Sequence, residues 1–184
     1  MVKTLIIIAV IAGGLVAVRL FLPGLSGVIG AARVSSRLSM LPRSEYIVIN
    51  DVTVTTQQNK VLIPHVVVSR FGIFIVNTKN IGGRIFGTDS DEKWIRRTSG
   101  KERYFRNPLG RCSMHISLLR SVTGLPSKVF FPVIVFTGGA SVWTESVWDI
   151  TTPFYVNKVI KAHSSQLLSE SEMQKVAIQI SELY

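Results

Sequence analysis

A single cysteine, Cys112, stands in the 184 residues. A lone thiol cannot build a disulfide framework, which excludes a disulfide-stapled secreted scaffold; on a helix it reads as a small apolar residue. Acids are scarce as well, 11 Asp and Glu against 21 Lys and Arg, and only 17% of the chain is charged. No internal repeat and no low-complexity linker divides it. The length suits one sizeable core and little more.

The largest block without charge lies at the start. Residues Thr4 to Val18 carry none, Arg19 interrupts, and the apolar run continues to Leu25. An arginine near a helix end reaches back to the headgroups, so the run fits an uncleaved transmembrane anchor. A cleaved signal peptide is the alternative, favoured by Lys3 and the shortness of the uninterrupted stretch. Basic residues cluster at the far end (Arg19, Arg33, Arg37 and Arg43), which predicts a single-pass membrane protein with its domain in the cytoplasm. The expected division is an anchor over 1–25 and a domain over 26–184. The formal charge is +10. Without Lys3 and Arg19, in a stretch that holds no acid, +8 remains on the domain. Such an excess fits a polyanion, either nucleic acid or the anionic inner leaflet.

Beyond the run, residues 28–41 carry apolar positions near helical spacing and close at Pro42. "EYIVINDVTV", "VLIPHVVVS" and "FGIFIVNTK" read as strands, the last two joined by a tight turn at Arg70 to Gly72. "GGRIFGTDSDEKWIRR" reads as two short strands around a hydrophilic loop, in which Asp89, Asp91 and Glu92 form a solvated cluster. The segment from Asn107 to Gly124 opens with Asn-Pro and ends on glycine, as a helix does. "VFFPVIVFTGG" is a buried strand, "TPFYVNKVIKAH" fits strand or helix, and "SESEMQKVAIQISEL" is a capped helix. The pattern is one α/β domain behind an anchor.

The ordered set "HVVVSRFGIFIVNTKNIGGRIFG", Trp94 and "NPLGRCSMHI" resembles the nuclease-related domain (NERD) family over most of residues 27–137. That resemblance implies a restriction-endonuclease-like PD-(D/E)xK fold, a mixed sheet flanked by helices. It also implies a carboxylate at the start of one strand and an acid-x-lysine on the next. Two carboxylates would hold Mg²⁺, and the lysine would orient water or support charge on the phosphate.

The acids are missing. Gly30-Ala31 stands for the implied Gly-Glu, Pro64-His65 for Asp-His, and Asn77-Thr78-Lys79 for the acid-x-lysine; Arg111 replaces a glutamine while His115 is kept. Asn107 to Gly124 supplies no carboxylate in exchange. Asp51 remains on a strand, where it reads as ending that strand or capping a turn. The expectation is therefore a pseudoenzyme without a metal or other cofactor, Asn77 and Lys79 marking the degenerate catalytic pair. Its basic face would bind nucleic acid or a protein partner through Arg96, Arg97, Arg103, Arg106, Arg111 and His115. The alternatives are an active Mg²⁺-dependent nuclease using Asp51, and a basic adaptor on anionic lipid. For His115 itself a satisfied, partly buried imidazole is expected; for Trp94 and Trp148, packing; for the Trp94–Arg106 run, a solvated hairpin.

Overall fold

The computed structural model describes residues 27–57 and 59–183. The apolar run expected to span a membrane lies outside them, and among the described residues no helix is long and apolar enough to cross one.

Alternation of β-branched residues builds the first sheet. β1 (Tyr46–Thr55), β2 (Lys60–Ser69) and β3 (Gly72–Lys79) form an antiparallel meander. Its second turn closes at the pair Ser69↔Gly72, where Ser69 Oγ accepts from Phe71 N at 3.1 Å. β3 then pairs in parallel with β7 (Phe130–Phe136), and β7 with the short β9 (Asp149–Thr151). The central strands β3 and β7 are covered on both faces, which is why they read as near-continuous apolar runs.

On one face α2 (Leu109–Thr123) and α4 (Glu170–Ser181) pack through Leu119, Met173, Val176 and Ile180 onto Ile63, Val66, Ile73 and Ile75. On the other, α1 (27–38) and α3 (Val156–Ala162) bring Val34, Leu38, Val156 and Ile160 onto Val67, Phe74 and Val133. The ambiguous "TPFYVNKVIKAH" thus resolves into a turn and a helix. α4 starts with a full capping box between Ser169 and Glu172, as its sequence predicts.

Where one mixed sheet was expected, there are two. β4 (Gly83–Thr88), β5 (Lys93–Thr98), β6 (Lys101–Arg106) and β8 (Ala140–Glu145) form a second sheet in the order β6-β5-β4-β8. The parallel pair β3–β7 leaves the first sheet at the point where the parallel pair β4–β8 enters the second. The two chain crossings lie against each other: a Cβ on Gly82 would strike the Gly138 carbonyl, and one on Gly138 would strike the backbone of Ile81 and Gly82. Only glycine allows so close an approach. The second sheet is held by its inner face, where Trp94, fully buried, packs with Ile85, Leu109, Cys112, Ile134 and Phe136. Trp94 Nε1 donates to Thr88 O at 2.9 Å, which satisfies the indole in the core.

Asp51 corrects its reading. It neither ends β1 nor caps a turn; it sits mid-strand with φ 55. Ile47 and Ile49 before it, and Val52 and Val54 after it, all face the α2–α4 side. An even spacing thus becomes odd across the left-handed residue, and β1 exchanges its faces there.

Candidate functional site

The register decides where the polar end of β3 points. Asn77 lies opposite Ile134 and Lys79 opposite Phe136. Ile134 and Phe136 belong to the cluster around Trp94 and Cys112. Asn77 and Lys79 therefore face the junction of the first sheet, the second sheet and the start of α2. Buried Asn77 donates through Nδ2 to Cys112 Sγ at 3.0 Å. Burial pushes the Cys112 thiol up to about 11 against the opposing influence of that bond, so it is a neutral packing group.

α2 is fixed at this junction by Asn107. Its Oδ1 accepts from Leu109 N at 2.9 Å, and its Nδ2 donates to Asp91 O at 2.7 Å. One side chain thus starts the helix and clamps the β4–β5 loop beneath it. Two of that loop's acids are structural: Asp91 Oδ2 accepts from Thr88 N at 2.7 Å and Asp89 Oδ2 from Val147 N at 3.1 Å. Both tie the loop, while Glu92 is exposed to solvent as expected.

At the mouth of the junction is a cavity of about 650 Å³ whose lining, among the described residues, includes Lys60, Lys79, Arg106 and Arg111, and no carboxylate. Asn107, Pro108 and Gly110 bring the first turn of α2 to its wall, a turn without an acidic residue. Burial, and then the Arg111 charge, hold the Lys79 ammonium below its ordinary range. The helix N-terminus adds partial positive charge to the same wall. The arrangement is a concave cationic surface with no counter-ion of its own, and chemically it suits an anion.

His115 departs from its reading as a satisfied imidazole. It is fully buried, and among the described residues neither ring nitrogen has a hydrogen-bond partner. Burial, reinforced by Arg111 and Lys79, pushes it down to about 4, so the ring is neutral near pH 7. His65 is also buried and lowered by burial, with Asp51 opposing; its Nδ1 lies 2.7 Å from Asn50 Oδ1. Pro64, in the strand position where the resemblance implies an aspartate, is half-buried, as is Ala31 on α1. Among the described residues no three His, Cys, Asp or Glu side chains are placed to hold a metal ion together.

Residues 26–137 match the nuclease-related domain family. The chain belongs to the NERD family. An uncharacterized protein of Bacillus anthracis is 33% identical over 116 residues, which cover 62% of this chain and 55% of that protein. The NERD chain thus spans little more than half the length of that relative. No solved structure matches it. The family match takes in α1, α2 and β1 to β7 and ends at Thr137, so β8, β9, α3 and α4 lie beyond it.

The expected basic set divides in two. Lys79, Asn77, Arg111, His115 and Arg106 converge on the junction. Arg96, Arg97 and Arg103 stay on the second sheet, outside the cleft. Arg96 lies opposite Arg103, while Arg97 lies opposite Glu102 and donates to it through Nε at 2.7 Å. Lys60 completes the cleft and was missed, because nothing in the sequence around "TTQQNK" says where β2 begins relative to α2. Trp94 is core, as expected, whereas Trp148 is partly exposed.

Proposed function

We propose that this NERD-family protein binds the phosphodiester backbone of nucleic acid in the cleft of Lys60, Lys79, Arg106 and Arg111, and does not cleave it. The observation that carries the reading is the carboxylate-free, four-cation cleft at the place where the family resemblance implies a metal site. The residues at the implied ligand positions do not fit a divalent cation. Pro64 has no side-chain oxygen, and Asn77, its Nδ2 donating to the Cys112 sulfur, offers one neutral amide oxygen where a carboxylate is implied. Four cations without a counter-charge instead favour phosphate oxygens, with Arg106 and Arg111 able to bind in a bidentate way.

The test uses the full chain with a labelled duplex. Binding should fall steeply with salt, since each neutralised phosphate releases counterions. Mg²⁺ or Mn²⁺ should produce no cleavage above a contaminant control. Metal-dependent cleavage lost on Lys79→Ala would overturn the reading, and its further loss on Asp51→Ala would make Asp51 the ligand. Pro64→Asp with Asn77→Glu should create Mn²⁺ binding that the wild type lacks, measured by calorimetry.

A second reading, a single-pass protein whose cytoplasmic domain rests on anionic lipid, is favoured by a different surface. A groove of about 870 Å³ at α1 is lined by Arg33, Arg37, Ile29, Met40 and Phe154, with the Arg37 guanidinium 5.5 Å from the Phe154 ring centroid. Basic and apolar groups side by side suit a headgroup layer. Here Arg33→Ala with Arg37→Ala should weaken sedimentation with phosphatidylserine vesicles and leave duplex affinity alone. Equal vesicle binding by wild type and variant removes this reading.

A further inference from the structure

The second sheet has an outer face that the cleft does not use. Strand pairing places Tyr104 opposite Ile95, Ile95 opposite Phe86, and Phe86 opposite Trp143. Partners across a ladder share a face, so these four side chains form one row crossing all four strands. Three strand spacings make the row about 14 Å long. Its ends stand up, with Tyr104 66% and Trp143 63% exposed, while Phe86 and Ile95 between them are half-buried. The row lines a trough of about 390 Å³.

Cations flank the row along much of its length. On one side is the cross-strand pair Arg84↔Arg97, the Arg97 guanidinium lying 4.9 Å from the Phe86 ring centroid. On the other is the pair Lys93↔Arg106. Acids are present too: Glu102 is engaged by Arg97, while Asp91, which also accepts from Thr88 N, and Glu145 line the trough beside Lys93. Carboxylates in the trough repel phosphate and accept the N–H edge of a base, so the backbone would follow the Arg84–Arg97 flank. Arg106 belongs both to this flank and to the lining of the basic cleft. Arg106, which lines the cleft, is thus the strand neighbour of Lys93, which lines the trough.

We propose that the Tyr104–Ile95–Phe86–Trp143 row is a stacking platform for the bases of single-stranded nucleic acid. Flat aromatic faces flanked by guanidinium groups suit unpaired bases, whose π-faces are open, and do not suit a duplex, whose bases are stacked on one another. A protein partner would also use aromatic residues. The neighbouring cationic cleft, reached across the Lys93↔Arg106 pair, favours a polyanion that carries aromatic groups. The platform rests on the phosphodiester reading for its path toward the cleft, but it occupies a different surface and fails separately.

The experiment measures anisotropy of the full chain with a labelled oligothymidylate and with a mixed-sequence duplex of equal length. Stacking contributes roughly 1–3 kcal/mol per base, or about 5- to 150-fold. Trp143→Ala and Tyr104→Ala should each weaken single-strand binding by about tenfold and leave duplex binding unchanged, and Trp143→Phe should retain most of it. The oligothymidylate should also quench tryptophan fluorescence in the wild type more than in Trp143→Ala. Lys79→Ala with Arg111→Ala should weaken both probes. Unchanged single-strand affinity in both aromatic variants overturns the platform and leaves the cleft reading standing. A change in sedimentation-measured self-association, with nucleic-acid affinity intact, overturns it in favour of a protein-docking face. Wild-type binding to duplex but not to oligothymidylate also overturns it, and binding to neither removes both readings.

Discussion

The cleft at the end of β3 and the hairpin of β5 and β6 are both rich in basic residues, yet they hold charge in opposite ways. In the cleft, Lys79 is half-buried, lowered by burial and by Arg111, and faces no carboxylate. On the hairpin, Arg97 is half-exposed, bridged to Glu102 and laid over Phe86. A cation already paired and solvated gains little from a ligand, whereas one desolvated without a partner gains much. Equal counts of Lys and Arg therefore predict unequal contributions to binding.

The largest expected effect tests whether the two regions depend on each other. Trp94→Ala should destabilise the fold by about 3–5 kcal/mol, because it empties the centre of the cluster under the hairpin. Trp143→Ala should change stability by less than about 0.5 kcal/mol, as an exposed site does. Urea denaturation followed by circular dichroism measures both. A small effect at Trp94 would mean that the hairpin is not seated on the first sheet.

Next in size is the contrast between the cations themselves. Lys79→Ala with Arg111→Ala should weaken duplex binding by roughly 100-fold, two charge-assisted contacts at about 1.4 kcal/mol each. Arg97→Ala with Arg103→Ala should weaken it by less than about threefold, since Arg97 is already bridged to Glu102 and Arg103 is exposed and screened. Parity between the two pairs, measured by anisotropy at fixed salt, would erase the distinction drawn here.

Acid stability offers a third comparison, between the same imidazole in the folded and the unfolded chain. In the unfolded chain His115 takes up its proton near pH 6.5, and in the folded chain only near pH 4. Between those values the unfolded state binds the extra proton. Its contribution is thus intact above about pH 6.5 and lost as the pH falls toward 4, at up to about 1.4 kcal/mol per pH unit. His65, also lowered, adds in the same direction. His115→Met should flatten the slope and, because an unpartnered polar group is removed, cost little or nothing at pH 7. Denaturation midpoints of wild type and variant from pH 4 to 7.5 decide it; parallel curves would rule out His115 as the source.

Much of this was legible before any coordinates. The strand-turn-strand around Arg70–Gly72 announced itself through two apolar runs and a glycine, and the Asn107-Pro108 start of α2 through its turn chemistry. The inward turn of His115 was legible but misread: Cys112, His115 and Leu119 follow the 3-and-4 spacing of a buried stripe, with Arg111 just off it. The second sheet was not legible. Short strands carry no local mark of which neighbour they pair with, so nothing in "RIF", "WIR", "RYF" or "SVW" shows that Phe86, Ile95, Tyr104 and Trp143 share a row.

The paired glycine crossings at Gly82 and Gly138 constrain how this chain can change length. Each carries one strand of a parallel pair from the first sheet to the second, and the ladders on both sides fix how far each connection must reach. A residue inserted in one connection alone would throw β4 or β8 out of step with its partner and turn its side chains to the wrong face. Length variation among relatives should therefore be found at the β5–β6 tip near Ser99–Gly100, which touches neither ladder's start. At the crossings it should occur only as matched changes in both connections, so that two loops far apart in sequence are inherited as a single part.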